Sequence, residues 1–319
     1  MKKKNTPHLD LMVIGELNMD LIYNHVNAFP ELGKEKIAKK LNLTLGSSSA
    51  IFAVNSAKLG LDVGFCGMIG NDSFGQDVLK ELKASNIDTS FITTSDTHRT
   101  GLTTIIRLNN DRAMITYPGA MEDFSLAGIP DEVFSRSRHL HLSSIFLQKG
   151  IKKDLFKILE HAKEHGMTVS VDPQWDPKEV WDIDVKRLVS AIDLFFPNEK
   201  EMLEITNSDS VAEAIQYLQP HLADGCIVIK QGPEGATICH KKEIQHIPGY
   251  INHSPADTVG AGDSFDAGFI SQFLKGASLE DCARFGNMAG AVSTIEAGGT
   301  EAIKSFESVK EIAKTKFSQ

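Results

Sequence analysis

The chain has 319 residues, 41% hydrophobic, 24% charged and 7% aromatic, with 25 Gly, 11 Pro and 4 Cys. That ordinary composition excludes a collagen-like, disulfide-stapled or disordered polymer, and a chain this long folds without a metal or disulfide staple. The net charge of −9 argues against phosphate-backbone binding, so no nucleic-acid partner is expected.

In chain order, Lys2-Lys3-Lys4 comes first, then the apolar run Leu11 to Ile14 flanked by Asp10 and Glu16. That run is too short for the h-region of a signal peptide. No stretch of about 18 apolar residues follows anywhere, so no membrane contact and a cytoplasmic location are expected. Strands are predicted at Leu11–Gly15, Val63–Met68, His139–Ser143, Thr168–Asp172, Leu194–Pro197, Cys226–Lys230 and Ala236–His240. Helices are predicted at Ser48–Leu59, Phe74–Ser85, Ile151–His165, Ser210–His221, Gly262–Lys275 and Ser278–Ala297. Such β-then-α alternation calls for a mostly parallel sheet with helices on both faces, a three-layer α/β/α arrangement. Leu21–Leu45 and Thr100–Tyr117 break the rhythm with strand-like runs and no helix between them, and Asn109-Asn-Asp111 reads as a hairpin turn. They are expected to form a small β lid, approximately residues 17–45 and 99–119, on a single domain spanning 1–319. Cys66, Cys226, Cys239 and Cys282 include no C-x-x-C pair and read as core residues in a reducing compartment.

The most informative segment is Asp257-Thr-Val-Gly-Ala-Gly-Asp-Ser-Phe-Asp-Ala-Gly-Phe269. Gly260 and Gly262 let the N–H groups of the turn, Ala261 included, converge where a helix begins, which makes an anion site. Asp263 falls in the first helical turn, where the dipole is expected to keep it ionised. It is then placed to take a proton from a hydroxyl attacking a phosphoryl group. A Gly-x-Gly turn is also an ordinary tight connection, and the residues alone leave both readings open. No G-x-x-x-x-G-K-[ST] occurs, which excludes a P-loop, and Phe265 stands where a dinucleotide fingerprint needs a third glycine.

Asp257–Asp263 resembles the C-terminal signature of the PfkB (ribokinase-like) carbohydrate kinases, and the similarity runs in order along the chain. Gly15-Glu-Leu-Asn-Met-Asp20 resembles the opening strand that ends in a sugar-binding Asp. Gly67–Gly75 matches G-x-x-G-x-D-x-F-G, and Pro197-Asn-Glu-Lys-Glu201 matches N-x-x-E. Lys230-Gln-Gly-Pro-Glu-Gly235 resembles the nucleotide loop, and Asn287 with Ala289-Gly-Ala291 resembles the helix beside adenine. The resemblance implies a kinase that uses ATP and Mg²⁺ to phosphorylate a hydroxyl, most simply a primary alcohol, of a sugar or sugar derivative. It implies Asp263 as base, with Gly260, Ala261 and Gly262 forming the anion hole. It assigns Asn18, Asp20, Gly46 and Ser47 to the acceptor, and Lys230, Gly232, Gly235 and Asn287 to the nucleotide. Asn198 and Glu201 would hold Mg²⁺ through waters, and Asp257 would sit beside a monovalent cation such as K⁺. Each has a plainer account on the residues alone. Asn198 and Glu201 also spell a capping box, Asp20 a solvated loop acid, and Gly232 and Gly235 a turn between strands. The exposed lid also offers a surface for pairing with a second copy of the chain.

The pattern departs in two places. The family's G-G-x-x-x-N-x-A reads Gly46-Ser-Ser-Ser-Ala-Ile-Phe-Ala53 here, so Ser47 replaces a glycine and Ile51 the sugar-binding asparagine. Gln174 and Asp176 stand where relatives often carry Asn and Arg, leaving Arg99, Arg107 and Arg112 in the lid as sources of positive charge. The acceptor's identity therefore does not carry over. Ile51 also leaves room for a non-catalytic sugar- or nucleotide-binding member of the fold. His161-Ala-Lys-Glu-His165 fits the H-x-x-E-H pattern of inverted zinc peptidases, with His161, Glu164 and His165 as the candidate set. His139 and His141 share a strand face and read as ordinary strand residues.

Overall fold

The computed structural model describes residues 9–108 and 111–317. The opening lysines and the turn expected at Asn109 and Asn110 lie outside the described residues. In chain order the strands and helices are β1 (Leu9–Ile14), β2 (Asn18–Asn24), β3 (Lys40–Leu45), α1 (Ser48–Lys58), β4 (Val63–Gly70), α2 (Ser73–Ala84) and β5 (Asp88–Ser95). Next come β6 (Gly101–Leu108), β7 (Asp111–Tyr117), α3 (Glu132–Ser135), β8 (Ser137–Ser143), α4 (Lys149–Glu164), β9 (Thr168–Asp172), α5 (Val185–Ala191) and β10 (Leu194–Phe195). The remainder are α6 (Glu199–Thr206), α7 (Val211–Leu218), β11 (Cys226–Lys230), β12 (Gly235–His240), β13 (Glu243–Pro248), α8 (Ala261–Phe273), α9 (Leu279–Ser293) and α10 (Phe306–Lys316).

The large sheet runs β13-β12-β11-β10-β9-β8-β1-β4-β5, parallel except where β12 pairs antiparallel with β11 and β13. The interior strand β1 explains the layering. Along β1, Leu11 and Val13 join one buried apolar cluster while Met12 and Ile14 join the other. A strand apolar on both faces must be covered on both, and α1, α8, α9 and α10 cover one face while α4 to α7 cover the other. In α4, Ile151, Leu155, Ile158, Leu159 and Ala162 are all buried, and Gly166 follows at φ 75° as a left-handed stop. The four cysteines are free and buried; burial pushes the thiols of Cys66 and Cys282 up to about 12.

The second sheet, β3-β2-β6-β7, takes residues from the two segments that break the β/α rhythm. Here β2 pairs parallel with β6, setting Asp20 opposite Thr103. From β1 the chain builds outward to β4 and β5, then returns to lay β8 on the other side of β1. In open α/β sheets such a reversal opens a crevice beyond the carboxyl ends of the strands. Glu16, Ser144, Gln174 and Lys230, each at or just past such an end, line one cavity.

Candidate active site

The cavity has a volume of about 650 Å³. Its floor is the strand ends and the glycine turn before α8, and Thr103, Ile105, Arg112, Met114 and Thr116 of the small sheet line it from the other side. Near the small sheet, Asn18 Nδ2 donates to Asp20 Oδ1 at 3.1 Å, and the Gly46 N–H donates to the Asn18 carbonyl at 3.0 Å. A Cβ on Gly46 would lie 2.2 Å from Asp20 Oδ1 and 2.5 Å from Asn18 Nδ2, so any larger residue there would push that pair aside. Burial pushes the Asp20 carboxyl up to about 7, against the hydrogen bond from Asn18 and the positive charge of Arg112.

Ser47 caps α1 by accepting the Ala50 N–H, and its hydroxyl donates to the Glu16 carbonyl at 2.6 Å. It does so at φ 72°, a backbone region that favours glycine. Glu16 escaped the sequence reading. It is 2% exposed, accepts from Ser47, Ser49 and Gln148, and burial raises its pKa. Its partners lie 31 to 132 residues away, so no local pattern announces it.

At the turn, Gly260 is the N-cap of α8 at φ 74° and packs closely on its neighbours; a Cβ there would come within 2.9 Å of Gly299 Cα and 3.0 Å of Ile51 Cγ2. Ile51 therefore fills the space under the turn. Of the converging amides, Val259 N–H already donates to Asp257 Oδ1 at 3.1 Å and Ala261 N–H to the Thr258 carbonyl at 3.3 Å. The turn thus leaves the amides of Gly260 and Gly262 without an internal partner among the described residues.

Asp263 departs from expectation in its charge. Its carboxyl is 7% exposed, and burial together with nearby Asp172 pushes its pKa up to about 7, against the pull of Lys230. Desolvation outweighs the helix dipole that was expected to keep it ionised. Gln174, at φ 56°, donates Nε2 to both Asp263 Oδ1 (2.9 Å) and Asp172 Oδ2 (2.7 Å), fixing one oxygen of the carboxylate. Asp176 lies apart from this chemistry. It accepts the amides of Lys178, Val180 and Trp181, which outweigh the effect of burial and hold its pKa down.

Lys230 lines the cavity, but its Nζ is held by Asp172 (2.7 Å) and Asp266 (3.1 Å), which raise its pKa. A Cβ on Gly262 would be 3.4 Å from that Nζ, so the ammonium lies beside the turn. Asn198 and Glu201 form a reciprocal capping box: Asn198 Oδ1 accepts the Glu201 N–H and Glu201 Oε2 the Asn198 N–H. Both also line the cavity, where burial and Asp172 push Glu201 up to about 7. Four carboxylates thus crowd one ammonium. Asn198 and Glu201, on the cavity wall, are the oxygen groups that could meet a divalent cation through its waters. Gly232, Gly235 and Asn287 line the far end, with Asn287 Nδ2 donating to the carbonyls of Ile247 and Pro248.

Asp257 lies under the turn, and its Oδ2 faces Arg107 Nη1 at 3.4 Å. Arg99 is mostly exposed beside Asp72. Of the H-x-x-E-H residues, His161 and Glu164 are on α4 and His165 caps its C-terminus, none of them lining the cavity, and His165 Nδ1 is taken by the His161 carbonyl at 2.8 Å. Among the described residues no group of three or more His, Cys, Asp or Glu could hold a metal ion, so the zinc set lacks a third ligand. His139 and His141 are fully buried on Ser170 Oγ, and burial pushes His139 down to about 3.

A crevice at the strand ends, roofed by a small sheet and carrying a carboxylate at a glycine turn, defines an α/β enzyme of group transfer. Residues 8–305 match the family model for pfkB family carbohydrate kinases, and the chain belongs to that family. It is a phosphotransferase with a sugar-type alcohol as acceptor, and the non-catalytic and peptidase alternatives fall away. The chain is 27% identical over 310 residues to a 2-dehydro-3-deoxygluconokinase of Bacillus subtilis, covering 94% of each chain. It is 29% identical over 296 residues to a nucleoside kinase of Methanothermobacter thermautotrophicus, covering 92% of this chain and 91% of that one. Among solved structures, Arabidopsis thaliana ribokinase complexed with ribose and ATP superposes at TM-score 0.80 and 21% identity, over 96% of this chain and 99% of that one. No helix of the described residues is long and apolar enough to cross a membrane.

Proposed function

We propose that the protein transfers the γ-phosphoryl group of ATP to a primary alcohol of a sugar or sugar derivative in the cytoplasm. The observation that carries this reading is one cavity lined both by the Asn18–Asp20 pair and by the Gly260–Asp263 turn. Asp20, steadied by Asn18 over Gly46, accepts hydrogen bonds from acceptor hydroxyls. Asp263, with one oxygen fixed by Gln174, turns the other toward the attacking hydroxyl and takes its proton. The free amides of Gly260 and Gly262, with Lys230 beside them, stabilise charge on the transferring group. Asn198 and Glu201 would hold Mg²⁺ through waters, and the ion would neutralise phosphate charge. An E. coli neighbour, a candidate ribokinase II solved with ATP and Mg²⁺, supports that donor and metal. The small sheet closes over the acceptor and keeps water from competing for the phosphoryl group. Exposed Leu41 and Leu43 on β3 and Ile115 on β7 suit pairing with a second copy through the same sheet. A monovalent cation beside Asp257, as in the family, would meet the Arg107 guanidinium there.

The test is ADP release from Mg-ATP across pentoses, hexoses, ketoses, sugar acids, sugar phosphates and nucleosides. Acceptor-dependent release with one class supports the reading and names the class. ATP binding without acceptor-dependent release by any of them contradicts it.

A further inference from the structure

In the small sheet, Thr103 and Ile105 of β6 face the cavity, and Arg107 follows at the same period of two, on the same face. Its guanidinium reaches the loop before α8 at two points. Nη1 lies 3.4 Å from Asp257 Oδ2, and Nη2 donates to the Ala256 carbonyl at 3.3 Å. The Asp257 side chain is almost wholly buried, and its Oδ2 makes no hydrogen bond, so Arg107 supplies its opposite charge. The other oxygen, Oδ1, accepts the N–H of Val259, the residue that leads into the Gly260 turn. A buried carboxylate deprived of its counter-charge is strongly destabilised, so the loop geometry depends on that guanidinium.

We propose that Arg107 is a positioning residue that latches the small sheet to the anion-hole loop and takes the place of a bound monovalent cation at Asp257. The inference rests on reading the Gly260 and Gly262 amides as the phosphoryl site. Two features go beyond that reading. A cation needs converging oxygens, and here Asp257 Oδ2 and the Ala256 carbonyl already face one guanidinium. The latch also joins the two substrates' sites, because β6 carries Arg107 and pairs with β2, which carries Asn18 and Asp20. The latch is already formed, so an acceptor on β2 and a phosphoryl group at the turn meet one preassembled unit.

Two readouts test this, with Arg107→Ala and Arg107→Lys beside the wild type. The first is amide hydrogen exchange of the ligand-free protein, which needs no activity. Exchange across Asp257 to Gly262 should speed up about tenfold or more in Arg107→Ala, stay near wild type in Arg107→Lys, and slow again when guanidinium or K⁺ is added. The second is turnover with KCl replaced by choline chloride at constant ionic strength. Wild-type kcat should change by less than about twofold, while Arg107→Ala should lose about 10- to 100-fold and recover partly with K⁺ or guanidinium. Unchanged exchange in Arg107→Ala, or a wild type that needs K⁺, overturns the proposal. A wild type inactive with every acceptor overturns the kinase reading instead, and the exchange experiment still decides the latch.

Discussion

Asp263 and Asp20 show how burial sets chemistry at single residues. Both carboxyls are pushed up to about 7, chiefly by loss of water. In the proposed roles each must be ionised, Asp263 to take a proton and Asp20 to accept hydroxyl donors. A raised carboxyl pKa means protonation, and loss of function, on the acid side of neutrality. With both substrates below their KM, activity should fall as pH drops below about 7 with a slope between one and two, and level off above. Asp20→Asn should weaken acceptor binding and leave a slope of one. An acid limb near the ordinary carboxylate range would contradict the burial argument. Asp263 was legible because the glycine turn marks it in thirteen contiguous residues. Its charge state was not, since that comes from Asp172, 91 residues earlier in the chain, and from burial. Glu16 and the Gln174 contact stayed hidden for the same reason: their partners meet only in the fold.

The start of α1 shows what a departure from family pattern does to an element. Ser47, standing where the family has glycine, adopts φ 72°, a region that favours glycine, and offsets the strain with a helix cap and a bond to Glu16. Removing the hydroxyl while keeping the Cβ should be the worse change. Ser47→Ala keeps a strain of about 1–3 kcal/mol and also loses a cap worth about 1 kcal/mol. Ser47→Gly loses the cap but sheds the strain, so its thermal midpoint should lie a few degrees above that of Ser47→Ala. The reverse order would show the φ to be unstrained. One turn further, Ile51 packs on Gly260 and Gly299 and has no donor to offer the cavity, so the proposed acceptor contacts rest on Asn18, Asp20 and Ser47. Long periodic elements such as α4 were legible from spacing alone. The edge strand β13 was not, because its side chains are mostly exposed and alternate poorly. Nor was α5, only seven residues long.

For the whole molecule, the β/α rhythm made the large sheet and its two covering layers readable, and the breaks in rhythm marked the second sheet. The order of strands was not readable, yet it is the reversal at β1 that places the crevice. Sequence also could not say that Asp172, Glu201, Asp263 and Asp266 converge on one lysine. Burial raises the pKa of Glu201, Asp263 and Asp266 around Lys230, so the cluster carries less negative charge at neutral pH than four carboxyls would suggest. In the proposed reaction the Asp263 carboxylate takes the acceptor's proton beside the glycine amides. The most direct measurement compares Asp263→Asn with the wild type, in kcat for the best acceptor and in calorimetric affinity for Mg-ATP. The account predicts a loss in kcat of about 10³-fold or more with nucleotide affinity held within about threefold. Turnover within about tenfold of wild type would contradict it, because a proton carrier of ordinary efficiency contributes at least about 10²-fold.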